Sequence, residues 1–165
     1  MPELSAEEFD LRTAALMDKI EGLVKEAGFA NMGIFPTEDS PGPAFTYTVG
    51  LAAYGGFEYL MAGLSNDGMG NMMHMVYSKL KENWRPLEEM EVDWLANLPM
   101  RFYLMGAEHK CNVARRFWNS RAEGGFSVYQ IVWPDSNGVF PDENGFETKF
   151  IGRQKVEGSP SINNL

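Results

Sequence analysis

The sequence predicts an α+β fold: a single, mostly antiparallel sheet of about five strands, with helices packed against it and a long N-terminal helix. Segments with a period of two are short and joined by short turns, which favours antiparallel pairing. Three other segments place apolar residues at helical spacing. With 165 residues, 44% hydrophobic and 22% charged, the chain has the size and balance of one domain with a real core.

Residues 6–27 read as a helix marked at both ends. Ser5 and Glu8 have capping-box spacing, and Leu4 and Phe9 occupy the positions of a hydrophobic staple. Phe9, Leu16, Ile20, Leu23, Val24 and Ala27 form the stripe, and Gly28 stands where a left-handed stop is needed. Residues 31–35 are the first expected strand, closed by Pro36 and a polar turn through Pro43. In residues 44–49, Phe45, Tyr47 and Val49 alternate with Ala44, Thr46 and Thr48, all but the alanine strong strand formers. After a bend punctuated by Gly50, Gly55 and Gly56, residues 57–64 resume as an apolar strand. Its single charge, Glu58, leaves it fit for a central place in the sheet.

Asn66 or Asp67 can cap a second helix, with Met69, Met72, Met73, Val76, Leu80 and Trp84 as its buried stripe. Pro86 lies just past its end. An acidic connection (Glu88, Glu89, Glu91, Asp93) leads to a strand at residues 99–105. A third helix over residues 108–121 turns Val113, Ala114, Phe117 and Trp118 inward, and Gly124 and Gly125 end it. Residues 126–133 give the strongest strand signal. A turn through Gly138 follows, with Val139 and Phe140 as a candidate return strand. Val49, Leu60, Met73, Phe102, Phe117 and Val132 are the expected core. The organisation is then an N-terminal helix packing on the domain (1–28), a core domain (29–157) and a flexible tail (158–165).

The charge is −9, which opposes phosphate backbones, so nucleic acid is not an expected partner. Nine acids and three bases lie in residues 1–40, whereas residues 101–121 carry Arg101, Lys110, Arg115, Arg116 and Arg121 against Glu108 alone. That cluster reads as a solvated face or as a site for an anion or acidic partner. No apolar run approaches the ~20 residues of a membrane span, and the acidic start is unlike a signal peptide. One cysteine, Cys111, makes no internal disulfide. A cytoplasmic protein is expected.

Several segments together resemble a known family. The run from Ala44 through Phe45, Thr46, Tyr47, Thr48, Val49 and Gly50 to Leu51 resembles the F-x-Y-T-V-G-L signature of the "domain of unknown function 4262" proteins of bacteria and their phages. Residues 57–64 are similar to that family's next strand, and Tyr129 to Asp135 followed by Gly138 to Pro141 resembles its LQLVWPD…GRFPW block. Gln154 matches a late glutamine of the family. Phe57 stands where the family usually has proline, and Asp142 where tryptophan is common. The resemblance spans residues 28–156 and implies a fold. It brings no catalytic residues with it, because the family's name records no activity.

No motif specifies a reaction. There is no H-E-x-x-H, paired-cysteine or acidic-loop pattern, so no metal or cofactor is expected. Neither a G-x-S-x-G elbow nor a phosphate loop is present. His74 lies off the methionine stripe and reads as a surface residue. His109 and Cys111, two apart at a helix start, fall on different faces of a helix, so Cys111 is expected to react as an ordinary thiol. Asp135 after a strand is a candidate acid or base, although Pro-Asp-Ser-Asn-Gly is also turn chemistry. Polar residues on apolar strands are more informative, because buried polar groups either satisfy one another or face a pocket. Thr46, Tyr47 and Thr48 on one strand, Gln130 on another and Arg101 on a third are therefore candidates to converge on one sheet face. With Asp135 they make up the candidate ligand-binding set.

Two functions compete on this reading. One is a binding or interaction protein whose partner is another protein, including a second copy or, for a phage-encoded chain, a host component; the methionine-rich helix suits adaptable contacts. The other is a small-molecule enzyme or cofactor binder that uses the polar sheet face. A deep pocket beside those residues favours the second, and a flat apolar patch the first.

Overall fold

In a computed structural model of the chain, residues 3–87, 90–94, 97–106, 110–121 and 125–156 are described. Helix α1 (Ala6–Ala27) begins at the expected capping box, with Ser5 N–H donating to Glu8 Oε2 at 3.0 Å and Glu8 N–H to Ser5 Oγ at 3.2 Å. It ends at Gly28, whose φ is 91° and whose N–H bonds the Val24 carbonyl at 2.9 Å. Leu4 and Phe9, the expected staple, are 42% and 50% exposed.

Strands β1 (Ala30–Ile34), β2 (Phe45–Val49) and β3 (Phe57–Ala62) follow, with a short 3₁₀ turn at Leu51–Tyr54 between the last two. Helix α2 spans Asn66–Lys81. Its cap is neither Asn66 nor Asp67 but Ser65, whose Oγ accepts the Gly68 N–H at 3.1 Å. The acidic connection contains a strand that its charges conceal, β4 (Met90–Val92), and β5 (Met100–Gly106) follows. Helix α3 (Asn112–Asn119) is shorter than residues 108–121, with Cys111 as its N-cap. After β6 (Ser127–Val132), Val139 and Phe140 form no strand. The Val139 carbonyl instead accepts the Asp135 N–H at 2.8 Å within a closed turn.

The sheet has six strands in the order β1-β2-β3-β6-β5-β4. Four pairings are antiparallel, and the central one, β3 with β6, is parallel. β3 is thus central, as its apolar composition implies. Helix α2 covers one face with Met69, Met72, Met73, Val76 and Leu80 against Tyr59, Met61, Phe102, Tyr129 and Ile131. The other face meets α1 through Ile20 and α3 through Ala114, Phe117 and Trp118, which pack on Tyr47, Val49, Leu60 and Val128. Tyr103, Val132 and Phe140 form a third cluster on the segment after β6. All six expected core residues are buried, none more than 3% exposed. The expected tail at residues 158–165 lies outside the described residues.

Candidate functional site

Alternation along a strand sends neighbouring side chains to opposite faces, and this divides the polar residues of the sheet. On β2, Tyr47 faces α3, whereas Thr46 and Thr48 do not share its side. Tyr47 Oη accepts the Val113 N–H at 3.1 Å. This satisfies one of the first donors of α3, whose own N-cap, Cys111, makes no side-chain cap bond. Tyr47 is 1% exposed, and burial pushes its phenol up to about 12, so the hydroxyl keeps its proton. That proton has no acceptor among the described residues.

Two strands away, Gln130 lies on the same face and donates Nε2–H to the Lys155 carbonyl at 2.6 Å, tying down the segment after β6. Between these two side chains lies a recess of about 620 Å³. Its floor is Phe45, Leu60 and Ala62, the loop of Pro36, Pro41 and Pro43 walls it, and Lys110, Asn112 and Lys155 supply polar groups. No carboxylate lines it among the described residues. The Lys110 ammonium sits 5.6 Å from the centre of the Phe45 ring.

The remaining candidates lie elsewhere. Thr46 Oγ1 donates to the Met32 carbonyl at 3.1 Å and borders a second recess, beside α2. Thr48 Oγ1 donates to Glu58 Oε2 at 2.5 Å and accepts the Tyr59 N–H at 2.9 Å. Arg101 lies on β5 between Glu91 at 3.2 Å and Glu143 at 3.0 Å, with its guanidinium 3.8 Å from the Phe140 ring centre. Asp135 organises its turn, taking the N–H groups of Asn137, Val139 and Glu147 at 2.9 Å each. Burial opposes its ionisation, but those three bonds together hold the carboxyl below the usual range. Other members of the basic run are also engaged: Arg121 reaches Glu21 at 3.4 Å and Arg115 reaches Asn112 at 2.9 Å. His109 lies outside the described residues, and His74 is exposed, its ring 5.0 Å from that of Phe29.

The polar centre that sequence reasoning missed is Glu58. It is fully buried and accepts five donors: the Thr48 hydroxyl, the N–H groups of Gly50, Leu51 and Ala52, and the Trp118 indole. Desolvation dominates and raises its carboxyl to about 7 against the pull of those bonds. The legible signal was a lone carboxylate on an apolar strand beside a glycine bend with free amides. Glu58 lines neither recess, so it holds the fold together rather than meeting a ligand.

Fold and recess together define an α+β domain built on a mixed six-stranded sheet with a ligand-sized cavity on one face. The chain belongs to the family described as domain of unknown function (DUF4262), which matches residues 23–147. No curated protein and no solved structure is found to match it. Most of α1, together with Gln154 and Lys155, lies outside the matched span. Among the described residues no group of three or more His, Cys, Asp or Glu side chains is placed to hold a metal ion, and no helix is long and apolar enough to cross a membrane.

Proposed function

We propose that this domain is a binding protein whose recess between Tyr47 and Gln130 takes a small organic anion with an apolar body, of the class of medium-chain or aromatic carboxylates. The observation that carries the reading is the charge of the lining: two lysines and, among the described residues, no carboxylate, in a chain of net charge −9. Walls of one sign focus attraction for the opposite sign. The Phe45, Leu60 and Ala62 floor suits an apolar body, and a volume of about 620 Å³ suits a small molecule. The Tyr47 hydroxyl proton offers a donor to the anionic end.

Titration with 1-anilinonaphthalene-8-sulfonate, followed by displacement with decanoate, tests this. We expect saturable fluorescence that decanoate reverses, and roughly tenfold weaker binding of both in Lys155→Glu, equivalent to ~1.4 kcal/mol. No saturable binding, or equal affinity in the variant, overturns the reading.

A second reading, an interaction protein acting on another protein such as a host component of a phage, rests on α1. Phe9, Leu16 and Leu23, seven residues apart on one face, are 50%, 37% and 38% exposed. A row of that kind is what a protein partner covers. Deleting residues 3–16 and comparing the oligomeric state by light scattering separates a self-associating helix from an unpartnered one.

A further inference from the structure

On the opposite face of the sheet, between the β1 edge and the first turns of α2, lies a second recess of about 490 Å³. Its chemistry differs from that of the first. Carboxamides of Asn31, Asn66 and Asn71, the Asp67 carboxylate and the His74 imidazole line it, with no lysine or arginine among the described residues. None of these five side chains hydrogen-bonds another described group. For four of them solvent is a sufficient partner. Asn31 is different: its Oδ1 is shut off from solvent and still has no partner. A shielded acceptor without a donor costs about 1–3 kcal/mol, which turning the Asn31 carboxamide toward an occupant carrying an O–H or N–H would remove.

Two glycines keep the recess open. Gly70 lies inside α2, where glycine costs ~1 kcal/mol relative to alanine. A Cβ there would meet nothing closer than Asn31 Nδ2 at 3.8 Å, so the packing of the chain does not demand glycine. A methyl group at that position would occupy the recess instead. On β1, a Cβ at Gly33 would come within 3.1 Å of Asn66 Oδ1 across the same space. Phe35, 61% exposed, stands at the edge as an uncovered aromatic ring.

We infer that this recess is a binding site for a small neutral polyhydroxylated ligand, a monosaccharide or short saccharide. Carboxamides and a carboxylate offer paired acceptors and donors to adjacent hydroxyls, and the exposed Phe35 ring offers an apolar platform to the C–H face of a sugar. The lack of lysine and arginine among the described lining residues argues against a phosphorylated ligand.

The test is ligand-observed saturation-transfer NMR and calorimetry on the full chain, with glucose, galactose, N-acetylglucosamine and ribose as probes and adenosine as the competing class. At least one sugar is expected to bind in the millimolar range. Gly70→Ala should weaken it at least tenfold while the melting temperature holds or rises, since alanine favours the helix. Asn71→Ala, at an exposed position, should weaken it without unfolding the chain. No binding of any sugar up to about 50 mM, unchanged binding in Gly70→Ala, or binding of adenosine alone overturns the inference. Because the first recess is untouched by these variants, decanoate binding reports on that site separately.

Discussion

Glu58 Oε1 accepts the indole N–H of Trp118 at 2.8 Å, joining the central strand to α3 across 60 residues of sequence. The same carboxylate binds the Gly50, Leu51 and Ala52 amides, so it also closes the bend between β2 and β3. A buried carboxylate is tolerable only when its lone pairs are filled, and here five donors fill them. The arrangement ties together a strand, a bend and a helix that share little local sequence.

This carboxyl makes stability depend on pH. Its ordinary value of 4.5 rises to about 7 on folding, so the folded chain holds the proton more tightly than the unfolded one. The resulting stabilisation is complete below about pH 4.5 and is lost as pH rises through about 7, on the order of 3 kcal/mol in all. Asp135, Glu143 and Glu147 shift the other way, and their effects fall at more acid pH. Urea unfolding at pH 5 and pH 7.5 should therefore show the lower stability at pH 7.5, and Glu58→Gln should lack that slope. A flat profile for the parent chain contradicts the assignment.

Gly28 carries two constraints at once. Its φ of 91° disfavours any side chain, and an added Cβ would lie 2.1 Å from Tyr77 Oη. Gly28→Ala should cost at least ~1–2 kcal/mol from the backbone alone. Adding Tyr77→Phe should recover little of the loss, because the ring carbons 2.4 and 2.8 Å from the new Cβ remain, as does the strained φ. Full recovery would assign the whole cost to the contact with the Tyr77 hydroxyl.

Gln154 acts as a short piece of strand. Its Nε2 donates to the Trp133 carbonyl and its Oε1 accepts the Trp133 N–H at 3.3 Å, both buried. Gln154→Ala leaves two backbone groups without partners, at about 1–3 kcal/mol each. Hydrogen exchange should show the Trp133 amide opening faster in the variant. An unchanged denaturation midpoint would show that water replaces the side chain.

Cys111 is 1% exposed, which replaces the expectation of an ordinary thiol rate. Iodoacetamide should label it much more slowly in the folded chain than in urea. α3 begins at Asn112, one residue after Cys111, and His109 lies outside the described residues. Fast labelling near pH 6 that His109→Ala abolishes would reveal a reactive pair.

Local pattern carried most of the architecture. The capping box at Ser5 and Glu8, the Gly28 stop, the methionine stripe of α2 and the alternation of β2 depend on residues a few positions apart, and each is found as read. β4 escaped notice because three residues in an acidic stretch have too little period, and Arg101 opposite Glu91 completes their pairing. Ser65 lost the cap to its neighbours on paper because serine, asparagine and aspartate compete on nearly equal terms, and φ/ψ decides among them.

Long-range placement was a different matter. That Tyr47 and Gln130 border one recess while Thr46 borders another follows from alternation once the strand order is known, and that order puts β6 beside β3 in parallel. The crossover joining those two strands runs through α2, β4, β5 and α3, and no local preference encodes where such a path returns. Glu58 shows the same division. Its charge on an apolar strand is plain in the chain, but the donors that make its burial tolerable come from a bend and a helix that only the packed sheet brings to it.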